Sequence, residues 1–238
     1  MGMFMSACYE SLYPLNLYTE GFGVPEPTAE VGREVWPRRP AVFIRQVPGE
    51  APADQPDKVV QRELVGGQFG LVPHWVKSAS DAKLRATKLV NARSETVTTS
   101  HNFRDAWLAG QRCIVPICAF FEDDLRSGKP VLTRIARVDG RAMGVAGLWA
   151  RWEKSGEVIT SFTLLTINAN SHALMHRYGH PGVEKRMLAI LSEGTYDAWL
   201  GARPEKAREF MRAYPANWLL ANPVEAKKTK LPPGLRGL

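Results

Sequence analysis

Arg112-Cys113-Ile114-Val115-Pro116-Ile117-Cys118-Ala119-Phe120-Phe121-Glu122 is the stretch on which the fold class turns. It holds two short apolar runs, Cys113–Val115 and Ala119–Glu122, of strand length. Downstream the pattern repeats at Val131–Ile135, Ala142–Leu148 and Ser161–Thr166. Ser127-Gly128, Asp139-Gly140 and Ser155-Gly156 fall between these runs, as hairpin turns should. Upstream, Ala41-Val42-Phe43-Ile44 reads as a strand held in a proline-rich region, residues 25–58. Glu63 to Trp75 reads as strand, Gly-rich turn and strand end. Helices are expected at Phe103–Ala109 with Asn102 as cap, at Ser192–Leu200 and at Pro204–Met211. No internal repeat or long linker divides the chain, so a single α+β domain is expected over residues 8–222. Residues 1–7 form an extension ahead of it, and residues 223–238 a basic, mobile tail.

The chain has 238 residues, 45% of them hydrophobic, with seven tryptophans, which is ample material for a core. No apolar run approaches the roughly 20 residues that span a bilayer, and the N-terminus lacks a basic leader. Gly2 and Ser6 give a weak myristoylation pattern. The expectation is a cytoplasmic, nucleoid-associated protein without membrane contact. The net charge of +7 makes a polyanion a reasonable partner. Cys8, Cys113 and Cys118 have no paired zinc spacing, and the latter two read as small core residues.

Asn91-Ala92-Arg93-Ser94-Glu95-Thr96 sets an amide, a guanidinium and a carboxylate beside an apolar run, where buried polar groups need partners or a task. Asn91 reads as the end of a strand, where an asparagine is a turn residue more often than not. Glu122 has two readings. Flanked by Phe120 and Phe121 it can be desolvated enough to shuttle protons; beside Asp123 and Asp124 it can be an exposed hairpin acid. His172, His176 and His180 recur every four residues, but Gly179 and Pro181 break a helix there and no carboxylate completes a metal spacing, so no metal is expected.

These motifs, in this order, resemble the SOS-response-associated peptidase (SRAP) family. Cys8-Tyr9-Glu10-Ser11 is similar to the family's start, and Gly67 to Trp75 to its Trp-Gly-Leu-Val-Pro-x-Trp block, with Phe69 for the first tryptophan. Asn91 to Thr96 matches Asn-Ala-Arg-x-Glu-Thr throughout. Arg112 to Glu122 matches Arg-Cys-x-x-Pro-Ala-x-Gly-Phe-Tyr-Glu except at Ile117, Ala119 and Phe121. Ala146–Trp149, Thr163–Thr166 and Lys185-Arg186-Met187 continue the match.

The resemblance implies a mainly antiparallel, barrel-like core with peripheral helices. It also implies covalent capture of abasic sites in single-stranded DNA, by a monomer without cofactor. The α-amine of an N-terminal cysteine forms a Schiff base with the sugar aldehyde, and its thiol closes a thiazolidine. Carried across, Cys8 is the nucleophile, Asn91 orients its amine and Glu122 transfers protons. Arg93 and Arg104 hold phosphates, Trp75 stacks on a base and Thr166 adds a polar contact. Two departures stand out. Cys8 lies behind seven residues, so its amine requires cleavage of Ala7–Cys8. The family's histidine position counts back to Gly179, so His180 is expected to serve, with His176 as second choice. A non-catalytic DNA binder with the same fold is the alternative.

Overall fold

The structure is a computed structural model, described here for residues 7–49 and 60–225. The strands are β1 (Tyr9–Glu10), β2 (Glu34–Val35), β3 (Pro40–Gln46), β4 (Arg62–Phe69), β5 (Asn91–Arg93), β6 (Arg112–Ile117) and β7 (Ala119–Asp124). They continue as β8 (Val131–Arg137), β9 (Met143–Lys154), β10 (Glu157–Asn168), β11 (Arg186–Leu188), β12 (Ile190–Leu191) and β13 (Leu219–Pro223). The helices are short: α1 (Leu17–Phe22), α2 (Ala79–Ala86), α3 (Arg104–Leu108), α4 (Tyr196–Leu200) and α5 (Pro204–Ala207).

Strands β10, β4, β3, β6 and β9 close into a five-strand barrel, because β10 pairs with both β4 and β9. All its pairings are antiparallel except β10 with β4. β5 extends β4's edge, also parallel to β10, through Leu164↔Asn91 and Thr166↔Arg93. A second sheet, ordered β13-β8-β7-β1-β2, leans on the barrel. Phe43, Phe69 and Phe162 fill the barrel with ring centroids 5.5 and 5.6 Å apart, and Tyr9 of β1 meets Phe69 at 5.3 Å. Burying each such ring contributes about 1.5–3 kcal/mol.

The expected strands are present and run longer, and the α+β architecture holds. Several local expectations are corrected. Gly66-Gly67 is no turn: β4 runs through it as one strand. At Gly67 a Cβ would stand 3.0 Å from the Phe43 ring and 3.1 Å from the Thr160 carbonyl, so the glycine serves close strand approach. Asp139-Gly140 joins strands of different sheets, since β8 pairs with β7 and β13 while β9 belongs to the barrel. Asn91 begins its strand rather than ending one. Asn102 does not cap α3; Phe103 occupies that position without a side-chain cap. Ser192–Leu200 divides into a 3₁₀ turn, Glu193–Thr195, and α4. Pro204–Met211 divides into α5 and a 3₁₀ turn, Arg208–Phe210. Sheet pairing continues past the expected domain end: Pro223 pairs with Thr133, and Val224 N–H donates to the Leu132 carbonyl. The rest of the tail and the myristoylation pattern lie outside the described residues.

Among elements missed by sequence, α2 had a signal. Ser78 Oγ accepts from Asp81 N–H at 3.2 Å, an Ser-x-x-Asp start followed by an Asp81–Arg85 ion pair. Within the described residues no helix is long and apolar enough to cross a membrane.

Candidate functional site

β7, β5 and the loop from His176 to Lys185 meet at one end of the barrel. Glu122 is 5% exposed and lies opposite Thr133, so of its two readings the buried one is correct. The loop is tied to β7 by the Gly179 N–H, which donates to the Asp123 carbonyl at 3.2 Å, one residue past Glu122. Tyr178, next to it, has its phenol raised by burial, then by Asp124 and, more weakly, by Glu122. At its other end the loop reaches β5, where Glu184 pairs with Arg93 at 3.0 Å. His180 is exposed between these anchors. Its carbonyl accepts from Lys185 Nζ at 2.7 Å, and the Gly179 carbonyl from the same group at 3.1 Å.

The three histidines separate. His172 is buried; its Nδ1 accepts from the Leu174 and Met175 amides at 3.2 and 2.9 Å. Its Nε2 therefore carries the proton and donates to the Tyr214 carbonyl at 2.7 Å, which makes it a brace for the chain entering the loop. His176 is exposed, with Nδ1 2.8 Å from the His172 carbonyl. It lines, with Arg126, Arg177 and Lys185, a basic cleft of about 460 Å³. Sequence reading did not single out these three cations; their signal was charge in a loop next to Glu122.

Cys8 is buried, and its carbonyl accepts from Phe121 N–H at 3.3 Å, one residue before Glu122. Burial pushes its thiol up to about 12, with the Glu34 and Glu10 carboxylates adding, so at neutral pH it is a thiol and not a thiolate. Cys113 is a core residue as expected, whereas Cys118 is only half-buried.

The motif around Asn91 has a second role that sequence reading missed. Glu95 takes both Nη groups of Arg186, at 2.9 and 2.8 Å, and accepts from Asn168 N–H at 3.1 Å. Arg186 is buried and also donates to the Thr166 carbonyl at 2.7 Å, the Thr166 hydroxyl at 3.1 Å and Glu184 at 3.1 Å. The chain Arg93–Glu184–Arg186–Glu95 thus locks β5, β10 and β11 together. Thr166, expected as a polar contact, is buried in this network, its hydroxyl also donating to the Ala92 carbonyl at 3.3 Å. Arg104 and Arg93 are both more than half exposed. Trp75 stacks on His101 at 4.7 Å and carries the Arg85 guanidinium over its ring at 4.6 Å, so a base can stack there only by displacing one of them.

The profile described as "SOS response associated peptidase (SRAP)" matches residues 19–230, a span that starts after Cys8. The abasic site processing protein HMCES of Gallus gallus is 26% identical over 186 residues, covering 69% of this chain and 53% of the chicken protein. The chain therefore spans about half the length of that relative. The abasic site processing protein YoqW of Bacillus subtilis is 28% identical over 164 residues, covering 67% of this chain and 68% of its own. Among solved structures, a Bordetella bronchiseptica protein superposes with a TM-score of 0.82 at 38% identity, covering 92% of this chain and 100% of that one. A Bacteroides thetaiotaomicron protein shares the fold, with a TM-score of 0.73 at 20% identity.

Proposed function

The chain belongs to the SOS response associated peptidase (SRAP) family, and from that premise we propose that it processes abasic sites in single-stranded DNA by covalent capture through Cys8. The names of its relatives support the substrate. The observation that carries the reading is the double anchorage of the His176–Lys185 loop, to β7 beside Glu122 and to Arg93 of β5. That anchorage ties the loop that carries His180 to the strand of the buried Glu122 and, through Glu184, to Arg93, which supports a shared site for the three.

The chemistry starts with hydrolysis of Ala7–Cys8: one water adds across the amide, leaving a carboxylate on Ala7 and a free amine on Cys8. The Phe121–Cys8 hydrogen bond sets an antiparallel register that carries this bond toward Glu122, which supports Glu122 as the proton carrier. The amine then adds to the C1′ aldehyde of the ring-opened sugar, and loss of water gives the imine. Addition of the Cys8 thiol to the imine carbon, with its proton passing to nitrogen, closes the thiazolidine. Asn91 orients the amine, and His180 serves the proton transfers with Glu122. Arg93 and Arg104 hold phosphates, with the Arg126, Arg177 and Lys185 cleft extending the track. Thr166 acts through Arg186 and not by touching DNA.

A second reading, a non-covalent binder of such DNA, is favoured by the Cys8 thiol being buried and strongly protonated. Intact-mass measurement, with an abasic single-stranded oligonucleotide added afterwards, separates the two. Loss of residues 1–7 and a denaturant-stable adduct is the expected result. An uncleaved chain that binds the oligonucleotide without adduct would establish the binder.

A further inference from the structure

Trp36 follows β2 at the place where the sheet register sets it beside Cys8. β1 pairs Tyr9 with Val35 and Phe120, and Glu10 with Glu34 and Ala119. In the same registers, Ser11 N–H donates to the Arg33 carbonyl at 2.9 Å and Phe121 N–H to the Cys8 carbonyl at 3.3 Å. One step along, Cys8 falls between Trp36 and Phe121. Tyr9, Val35 and Phe120 are buried toward the barrel, so strand alternation turns Cys8, Trp36 and Phe121 to the other face. The indole agrees with this placement: its Nε1–H donates to Glu34, two residues back on that face, at 3.4 Å. After burial itself, Glu34 is the next influence on the Cys8 thiol, which brings thiol and indole together.

Trp107, Trp152 and Trp199 are buried, and Trp75, Trp149 and Trp218 each lie under a guanidinium, of Arg85, Arg45 and Arg137. Trp36 is 48% exposed, and no ring or guanidinium covers it among the described residues. Glu34 holds it by one edge and leaves its faces open. The turn that follows is fixed in place. Arg39 N–H donates to the Trp36 carbonyl at 3.0 Å, Arg38 N–H to the Phe69 carbonyl at 2.7 Å, and Phe69 N–H to the Arg39 carbonyl at 3.1 Å. These bonds hold Arg38 at φ +68°, a left-handed conformation that is uncommon outside glycine. Phe69 pairs with Phe162 and Asn91 with Leu164, so Asn91 lies two residues of β10, about 7 Å, beyond this anchor. Trp36 thus stands beside Cys8, on a rigid turn near Asn91, and the exposed Arg38 and Arg39 come next in the chain.

We propose that Trp36 stacks on a base flanking the abasic site, with Arg38 and Arg39 meeting the backbone phosphates of that nucleotide. The inference rests on the abasic-site reading, which supplies the strand and its gap. A missing base leaves its neighbour without a stacking partner on one side, and an open indole next to the reacting cysteine supplies one. Stacking accepts any base, so Trp36 selects for the presence of a neighbouring base and not for its identity.

The test is fluorescence anisotropy of the full chain with single-stranded oligonucleotides carrying a central tetrahydrofuran, an abasic analogue that has no aldehyde and forms no adduct. In one oligonucleotide adenines flank the analogue; in the other the flanking nucleotides also lack their bases. The adenine-flanked strand should bind about tenfold tighter, the worth of one stacked base. Trp36→Ala and Trp36→Leu should abolish that preference by weakening only the adenine-flanked strand, and Trp36→Phe should keep most of it. A merely structural role would weaken both strands alike, and Trp36→Leu, which keeps apolar bulk, decides if Trp36→Ala does not fold. Replacing Arg38 and Arg39 together by Ala should lower the slope of log affinity against log salt by about two; an unchanged slope overturns the phosphate contacts. Binding of neither oligonucleotide by the unsubstituted chain would sink the abasic-site reading and this inference with it. Binding of both with no flanking preference, or with a preference that survives Trp36→Leu, overturns the inference alone.

Discussion

Removing the Glu95 carboxylate strands Arg186, because that carboxylate supplies two of the buried guanidinium's acceptors and holds the Asn168 amide as well. Hydrogen bonds to charged groups contribute about 1.5–3 kcal/mol each, so the pair would be worth about 3–6 kcal/mol if fully enclosed. Glu95 is 47% exposed and its share is screened accordingly. Glu184 and Thr166 keep holding Arg186, which reduces the loss further. We expect Glu95→Ala to cost about 2–3 kcal/mol, read from urea unfolding as a lower midpoint with unchanged m-value. Arg186→Met removes the stranded charge itself, so the double variant should be more stable than the two single losses sum to. The pH dependence gives a second check. Burial disfavours the Glu95 charge, but the Arg186 hydrogen bonds outweigh it and hold the carboxyl below its ordinary value. A folded pKa below the unfolded value, about 4.3, means stability that is complete above that value and lost as pH falls through the folded one. The stability gap between the unsubstituted protein and Glu95→Gln should therefore shrink below about pH 4. Additive single and double variants, or a Glu95→Ala loss under about 0.5 kcal/mol, would refute this account of the network.

In the processed protein, His180→Ala should slow crosslinking about 10²–10⁴-fold with binding nearly intact, whereas His176→Ala should change the rate little; single-turnover gels read both. Equal rates in both variants would remove histidine from the reaction. Arg93→Ala and Arg104→Ala should each lower the slope of log affinity against log salt by about one for single-stranded DNA, measured by fluorescence anisotropy. With its thiol raised to about 12, unprocessed Cys8 should be alkylated at neutral pH at least about 100-fold more slowly than an ordinary cysteine, followed by peptide mass spectrometry. Labelling at the rate of a free thiol would contradict the burial seen here. Gly147→Ala should destabilise by about 1–3 kcal/mol or prevent folding, since the new Cβ would stand 2.6 Å from the Thr163 carbonyl and 2.9 Å from Cys113 Sγ; an unchanged melting temperature would refute this close approach across the barrel wall.

By itself the sequence determined where the strands from Arg112 onward lie, because apolar runs and turn residues are local signals read one segment at a time. It also determined the family, through motifs whose order survives without any contact being known. Tertiary structure decided the rest. That β4 passes straight through Gly66-Gly67 depends on Phe43 and β10 crowding it from outside the segment. That Asp139-Gly140 links two sheets depends on which strands closed the barrel. Glu122 could be read as buried or exposed until the packing of β7 against β8 fixed it, and the histidines could be read as one face until His172 turned inward to brace the loop. Glu95, in the most legible motif of the chain, acts on Arg186, 91 residues away, and Arg112 meets Trp199 across a similar separation. Pairings of that kind are set by how the barrel closes, and no local pattern records them.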